Sequence, residues 1–225
     1  MNYSEVKKEL KREFESFLKP LGYKSKYGNQ GCDFFVSESI GYRKIGFGIA
    51  KYEPVFYTGI YAYVGVDAID KVLCYILEMD YIKSIGGGGT ISTSTRIYFN
   101  DINYQYKIQT EIDIRDWFMI FKKFYNDHLT AFFVKYNTID SIDKLLNEHP
   151  TEKVVYCDDL GWRIIKGLIT AKLNRNPKYY ELRDYYKNEV ETKFQGYFMY
   201  EKCMKVIEFL DSHSTEELNK MAESI

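Results

Sequence analysis

The chain has 225 residues, of which 45% are apolar and 17% aromatic, and its 22 tyrosines stand beside 31 Lys+Arg and 32 Asp+Glu. Size scaling buries about 70% of the unfolded surface, enough for a core without disulfides or metal. A net charge of −1 excludes the basic excess of a protein devoted to phosphate backbones, so no nucleic-acid partner is expected.

Cys32, Cys74, Cys157 and Cys203 include no Cys-x-x-Cys and have no histidine at zinc-ligand spacing, which predicts reduced, mostly buried thiols. The N-terminus lacks the basic-then-apolar order of a signal peptide, and no run approaches the ~18 apolar residues of a membrane span. A cytoplasmic protein with no membrane association and no cofactor is the expectation.

Taken in chain order, Val6, Leu10, Phe14, Phe17 and Leu18 predict a helix over 4–18, capped by Ser4 and stopped by Pro20 and Gly22. A turn at 27–31 separates short strands near 23–26 and 32–38. Strict alternation then predicts strands over 42–52 and 56–66, joined at Pro54. The apolar face of the first holds Ile45, Phe47 and Ile49, with Lys44, Gly46 and Gly48 opposite. In the second, Phe56, Ile60, Ala62 and Val64 share one face, and Tyr57, Gly59, Tyr61 and Tyr63 share the other.

Directly paired residues of an antiparallel ladder lie on one face, so matching the two apolar faces collects the tyrosines with the glycines. A loop at 53–56, or a tighter one at Pro54-Val55, sets Tyr52 opposite Tyr57, Gly48 opposite Tyr61 and Gly46 opposite Tyr63. Rings over glycines protect such strands.

Asp67 is placed to cap a helix from Ala68 to about Tyr81, and Gly86 to Gly89 follow it. No lysine precedes Thr90, so the run fails as a phosphate loop and reads as a connection. Residues 90–98 and 104–108 predict a further antiparallel pair turning at 100–103.

From about Glu111 the period becomes 3.6. Ile114, Trp117, Phe118, Phe121 and Phe124 make one face, continued by Leu129, Phe132 and Phe133 past a break near Asn126. Caps at Thr138, at Asp158 or Asp159, at Asn176-Pro177 and at Ser214 open four more helices, with another over 197–210. The fold class is therefore α+β: an N-terminal helix and an antiparallel sheet of five to six strands over 1–110, then an all-helical half over 111–225. The halves carry +2 and −3 with no flexible linker between them, so they are expected to pack as one unit.

No catalytic motif is present. His128, His149 and His213 sit near helix ends, where histidines complement terminal carbonyls. Asp158-Asp159 caps a helix, and the basic and aromatic residues of 174–187 are diluted by Glu181, Asp184, Glu189 and Glu191.

Tyr57, Tyr61 and Tyr63, extended by Tyr52, are the candidate binding residues, because tyrosine combines large contact area, few rotors and a polar tip. Parity alone leaves open whether a partner or the chain's own helices cover them. The rival reading is an enzyme, such as a hydrolase, built on His128 or His149 and nearby acids.

The lysine-rich opening helix running into Pro20-Leu21-Gly22-Tyr23-Lys24-Ser25-Lys26 and Cys32-Asp33-Phe34-Phe35-Val36 resembles bacterial families of unknown function that begin with such a helix and an antiparallel sheet. Those families are similar to small immunity-type proteins that neutralise toxins. The resemblance implies a non-enzymatic protein-binding role and assigns no functional residue.

Overall fold

A computed structural model describes residues 1–28, 30–81, 88–157 and 159–225. It has an N-terminal helix, a six-stranded antiparallel sheet and a helical C-terminal half. The chain gathers into two compact units, one of 1–64 with 92–135 and one of 65–91 with 136–225.

In the first unit, α1 (Tyr3–Leu18) is opened by Asn2, which exchanges a capping box with Glu5, one residue pair earlier than Ser4 would have given. Its buried stripe is Val6, Leu10, Phe14 and Leu18. The strands follow as β1 (Lys24–Tyr27), β2 (Gly31–Glu38), β3 (Gly41–Tyr52) and β4 (Val55–Val66). They stand in the order β1-β2-β3-β4, with β5 (Ile91–Ser94) beyond β4 and β6 (Tyr106–Ile108) also on β4.

The aliphatic face of the sheet meets α1 and α4 (Glu111–Phe124), a helix that Thr110 opens with Asp113 in a capping box. Phe14 is the hub, stacked on Phe121 at 4.2 Å and Phe34 at 5.8 Å and tilted against Phe47 at 5.0 Å. Such ring pairs add stabilisation beyond their buried area.

Two strand expectations are corrected here. The hairpin loop is Glu53-Pro54, since β3 runs to Tyr52 and β4 resumes at Val55. That shifts the ladder by two residues while keeping the parity of the faces. Further along, β5 stops at Ser94 and joins β4 rather than β6. Thr95 Oγ1 accepts from the Ile60 amide at 3.3 Å and donates to the Ile60 carbonyl at 3.4 Å, so a side chain takes the place of backbone partners. The main chain is thereby released into a helical turn, α3 (Thr95–Tyr98). Near Asn126 the rod does not break: a π-helical turn (Tyr125–Leu129) carries it into α5 (Thr130–Lys135).

The second unit contains α2 (Asp67–Ile76), α6 (Ile139–Asn147), α7 (Leu160–Leu173), α8 (Tyr179–Lys193), α9 (Phe198–Ser212) and α10 (Thr215–Ser224). Caps at Thr138, Asp159 and Ser214 bond the third amide of their helices as their residue types predict. Helix α7 is buried nearly all round, including the charged Arg163. Its guanidinium donates to the carbonyls of Leu146 (2.8 Å), His149 (2.9 Å) and Glu152. Asp143 on α6 accepts from the side-chain amides of Asn147, Asn174 and Asn176, so this unit is fastened by a fully bonded polar network.

All four cysteines are buried. Burial pushes the thiols of Cys32 up to about 11 and Cys203 up to about 12. Among the described residues no helix is long and apolar enough to cross a membrane. Of the glycine run, Gly86 and Gly87 lie outside the described residues, as do Asn29 and Asp158. The Gly89 carbonyl accepts from Lys166 Nζ at 2.7 Å.

Candidate functional site

Side chains alternate across a strand, so the residues of β3 and β4 that do not meet α1 and α4 form the other face of the sheet. There the tyrosines are neither fully covered nor free. Tyr57, Tyr61 and Tyr63 are half-buried, and Tyr52 at the end of β3 is 67% exposed. Tyr52 and Tyr57 meet edge to face at 5.8 Å, and Tyr61 and Tyr63 do the same at 5.7 Å.

Between these pairs lies an open groove of about 720 Å³, lined wholly by residues of the first unit. Tyr52, Tyr57 and Tyr61 line it, and Gly48 and Gly59 contribute bare backbone to it. Among the described residues a Cβ built on Gly48 would meet nothing within 4 Å, and one on Gly59 would meet only Thr95 Oγ1 at 3.8 Å. Gly46 is different: its Cβ would fall 2.6 Å from Cζ of Tyr61. The ring of Tyr61 therefore covers Gly46, as the two-residue shift of the hairpin requires, and Gly48 is left uncovered.

The wall at Tyr61 is anchored. Its hydroxyl donates to Asp33 Oδ1 at 2.8 Å across the sheet. Burial, with the Asp33 carboxylate adding to it, raises the Tyr61 phenol well above its ordinary value, so the ring stays a neutral donor.

Tyr63 does not line the groove. It stands over the ammonium of Lys44, which is 1% exposed and lies 4.3 Å from the Tyr63 ring centre, 5.8 Å from Phe35 and 6.0 Å from Tyr61. Burial lowers the Lys44 pKa against the pull of Asp33, and the ring faces offset part of that cost. Of the four tyrosines singled out in the sequence, the structure brings Tyr52, Tyr57 and Tyr61 to one groove and gives Tyr63 a packing role beside it.

Lys51 and Arg96 also line the groove and carry its charge. Lys51 pairs with Glu53 at 3.0 Å, whereas the exposed Arg96 guanidinium has no ion pair or hydrogen bond among the described residues. Arg96 was hidden in the sequence because residues 90–98 read as one strand. The run of hydroxyl residues ahead of it is the signal that a strand could end there. Among the described residues the lining holds no histidine, cysteine or carboxylate. What the lining offers is ring faces, hydroxyls, open backbone and two cations.

The histidines sit elsewhere. His128 in the π-helical turn bonds Thr93 Oγ1 at 2.8 Å and stacks against Phe124 and Phe132, and burial lowers its pKa. His213 caps its helix end through Nδ1 and the Phe209 carbonyl at 2.8 Å. Both arrangements are accounted for by packing and capping.

Comparison with protein-family models, with curated proteins and with solved structures returns no match.

Proposed function

We propose that the protein is a non-enzymatic protein-binding module of the immunity or adaptor kind, acting in the cytoplasm, and that it holds a segment of its partner in the Tyr52, Tyr57 and Tyr61 groove. The observation that carries this reading is the uncovered Gly48 floor between edge-to-face tyrosines. A bare floor admits another main chain at close range, and tyrosine walls supply contact area at low entropic cost. The net charge of −1 favours a protein partner over a phosphate backbone. The resemblance of the opening 66 residues to bacterial families akin to immunity proteins points the same way.

The test is affinity capture from the source cell with immobilised protein, run beside Tyr57→Ser and Gly48→Trp. Gly48→Trp fills the groove from a position where the fold has room. A partner kept by the parent and by Met119→Ser on the exposed side of α4, and lost by both groove variants, supports the reading. A partner kept by Gly48→Trp removes the groove from the account.

A further inference from the structure

We infer that the segment seated in this groove is acidic, an inference that rests on the protein-binding reading above. Among the described residues the groove is lined by two cations, Lys51 and Arg96, and by no carboxylate. Lys51 is answered by Glu53, but the exposed guanidinium of Arg96 has no ion pair or hydrogen bond among the described residues, at a site rich in tyrosine and glycine. A third cation stands beside the lining: Lys107 on β6 is the register partner of Tyr57, and direct partners lie on the same face. Its charge is shared with the Asp113 carboxylate, which it helps the Gln109 amide hold below the ordinary value.

The acids Glu53, Asp33 and Asp113 lie outside the lining. Asp33 holds the Tyr61 hydroxyl at 2.8 Å, and Asp113 accepts from the amides of Gln109 and Thr110 at the N-terminus of α4. The lining itself thus carries positive charge and, among the described residues, no carboxylate, on a chain whose total charge is −1. Electrostatic complementarity of this kind selects partners and steers their approach. A planar guanidinium beside ring faces suits a carboxylate, which it can grip through two N–H donors.

Random peptides displayed on phage and selected on the immobilised full chain test the inference. Selected peptides should carry more Asp and Glu than Lys and Arg. Their binding should weaken about tenfold on Arg96→Glu, less on Arg96→Gln, and further when Lys107→Glu is added. Arg96 is exposed, so these variants keep the fold. Neutral or basic peptides, no enrichment at all, or acidic peptides indifferent to Arg96→Glu overturn the inference. Selected peptides of any charge that Gly48→Trp abolishes would leave the groove reading standing without it. Peptides that Gly48→Trp does not disturb would refute the groove reading itself. Oligothymidylate that displaces the peptides and binds more tightly than they do would assign the site to single-stranded nucleic acid and overturn both.

Discussion

Gly46 and Gly48 lie two residues apart on one strand and one face, yet the structure predicts opposite outcomes when each becomes alanine. Neither has a left-handed φ, so neither needs glycine for its backbone. Replacing a strand glycine by alanine removes conformational freedom from the unfolded chain, a stabilisation of about 0.5–1 kcal/mol common to both variants. At Gly48 that is the whole effect, because the new methyl enters open groove. At Gly46 the methyl collides with the Tyr61 ring and Asp33, which are tied to each other by a hydrogen bond and move only together. Overpacking of this kind costs about 1–3 kcal/mol. The common entropic gain cancels in the comparison, so the two variants should differ by that same 1–3 kcal/mol, with Gly48→Ala the more stable. Denaturant midpoints at unchanged slope measure it. If Gly48→Ala lost as much stability as Gly46→Ala, the groove floor would be covered and the site would not exist as described.

Two further outcomes follow from groups buried away from the groove. Asp143→Ala should cost about 3 kcal/mol, since it takes one acceptor from each of the side-chain amides of Asn147, Asn174 and Asn176, at about 1 kcal/mol each, with Asn147 keeping its bond to the Gly167 carbonyl. Asp140→Ala on the same helix, at an exposed position, should leave the denaturation midpoint in place. His128 has a folded-state pKa below the 6.5 of an unperturbed imidazole because burial disfavours its charged form. Above 6.5 the ring is neutral in both states and contributes nothing. As pH falls from 6.5 toward the folded value, the unfolded chain takes up the proton first and stability declines. Midpoints measured over that range should fall more steeply for the parent than for His128→Gln, and equal slopes would show that His128 is not buried as described.

Strand parity and three of the caps were legible because both are local. Asn2, however, caps in place of Ser4, and neither Asp67 nor Asn176 caps its helix: these two open at Val66 and Lys178 without a side-chain bond. Alternation along 42–52 and 56–66 separates Tyr57 and Tyr61 from Ile60 and Ala62 whatever the rest of the chain does, and Thr138, Asp159 and Ser214 announce their helices by residue type. Register was not legible, because Pro54 fits hairpin loops of different lengths. One choice puts Tyr61 over Gly48, and the loop actually formed puts it over Gly46. The same limit hid Arg96. Its place depends on Thr95 reaching Ile60, a partner 35 residues away that no local pattern reveals. The Asp143 and Arg163 networks escaped for the same reason, as their partners come from separate helices and loops.

The most direct measurement places a photo-reactive phenylalanine analogue at position 52, where the native ring is 67% exposed at the groove, and another at position 119 on the exposed side of α4. After irradiation in the source cell, position 52 should give a covalent adduct to a defined segment of another protein, and position 119 should give none. Adducts at 119 equal to those at 52, or none at either, would contradict a partner seated in the tyrosine groove.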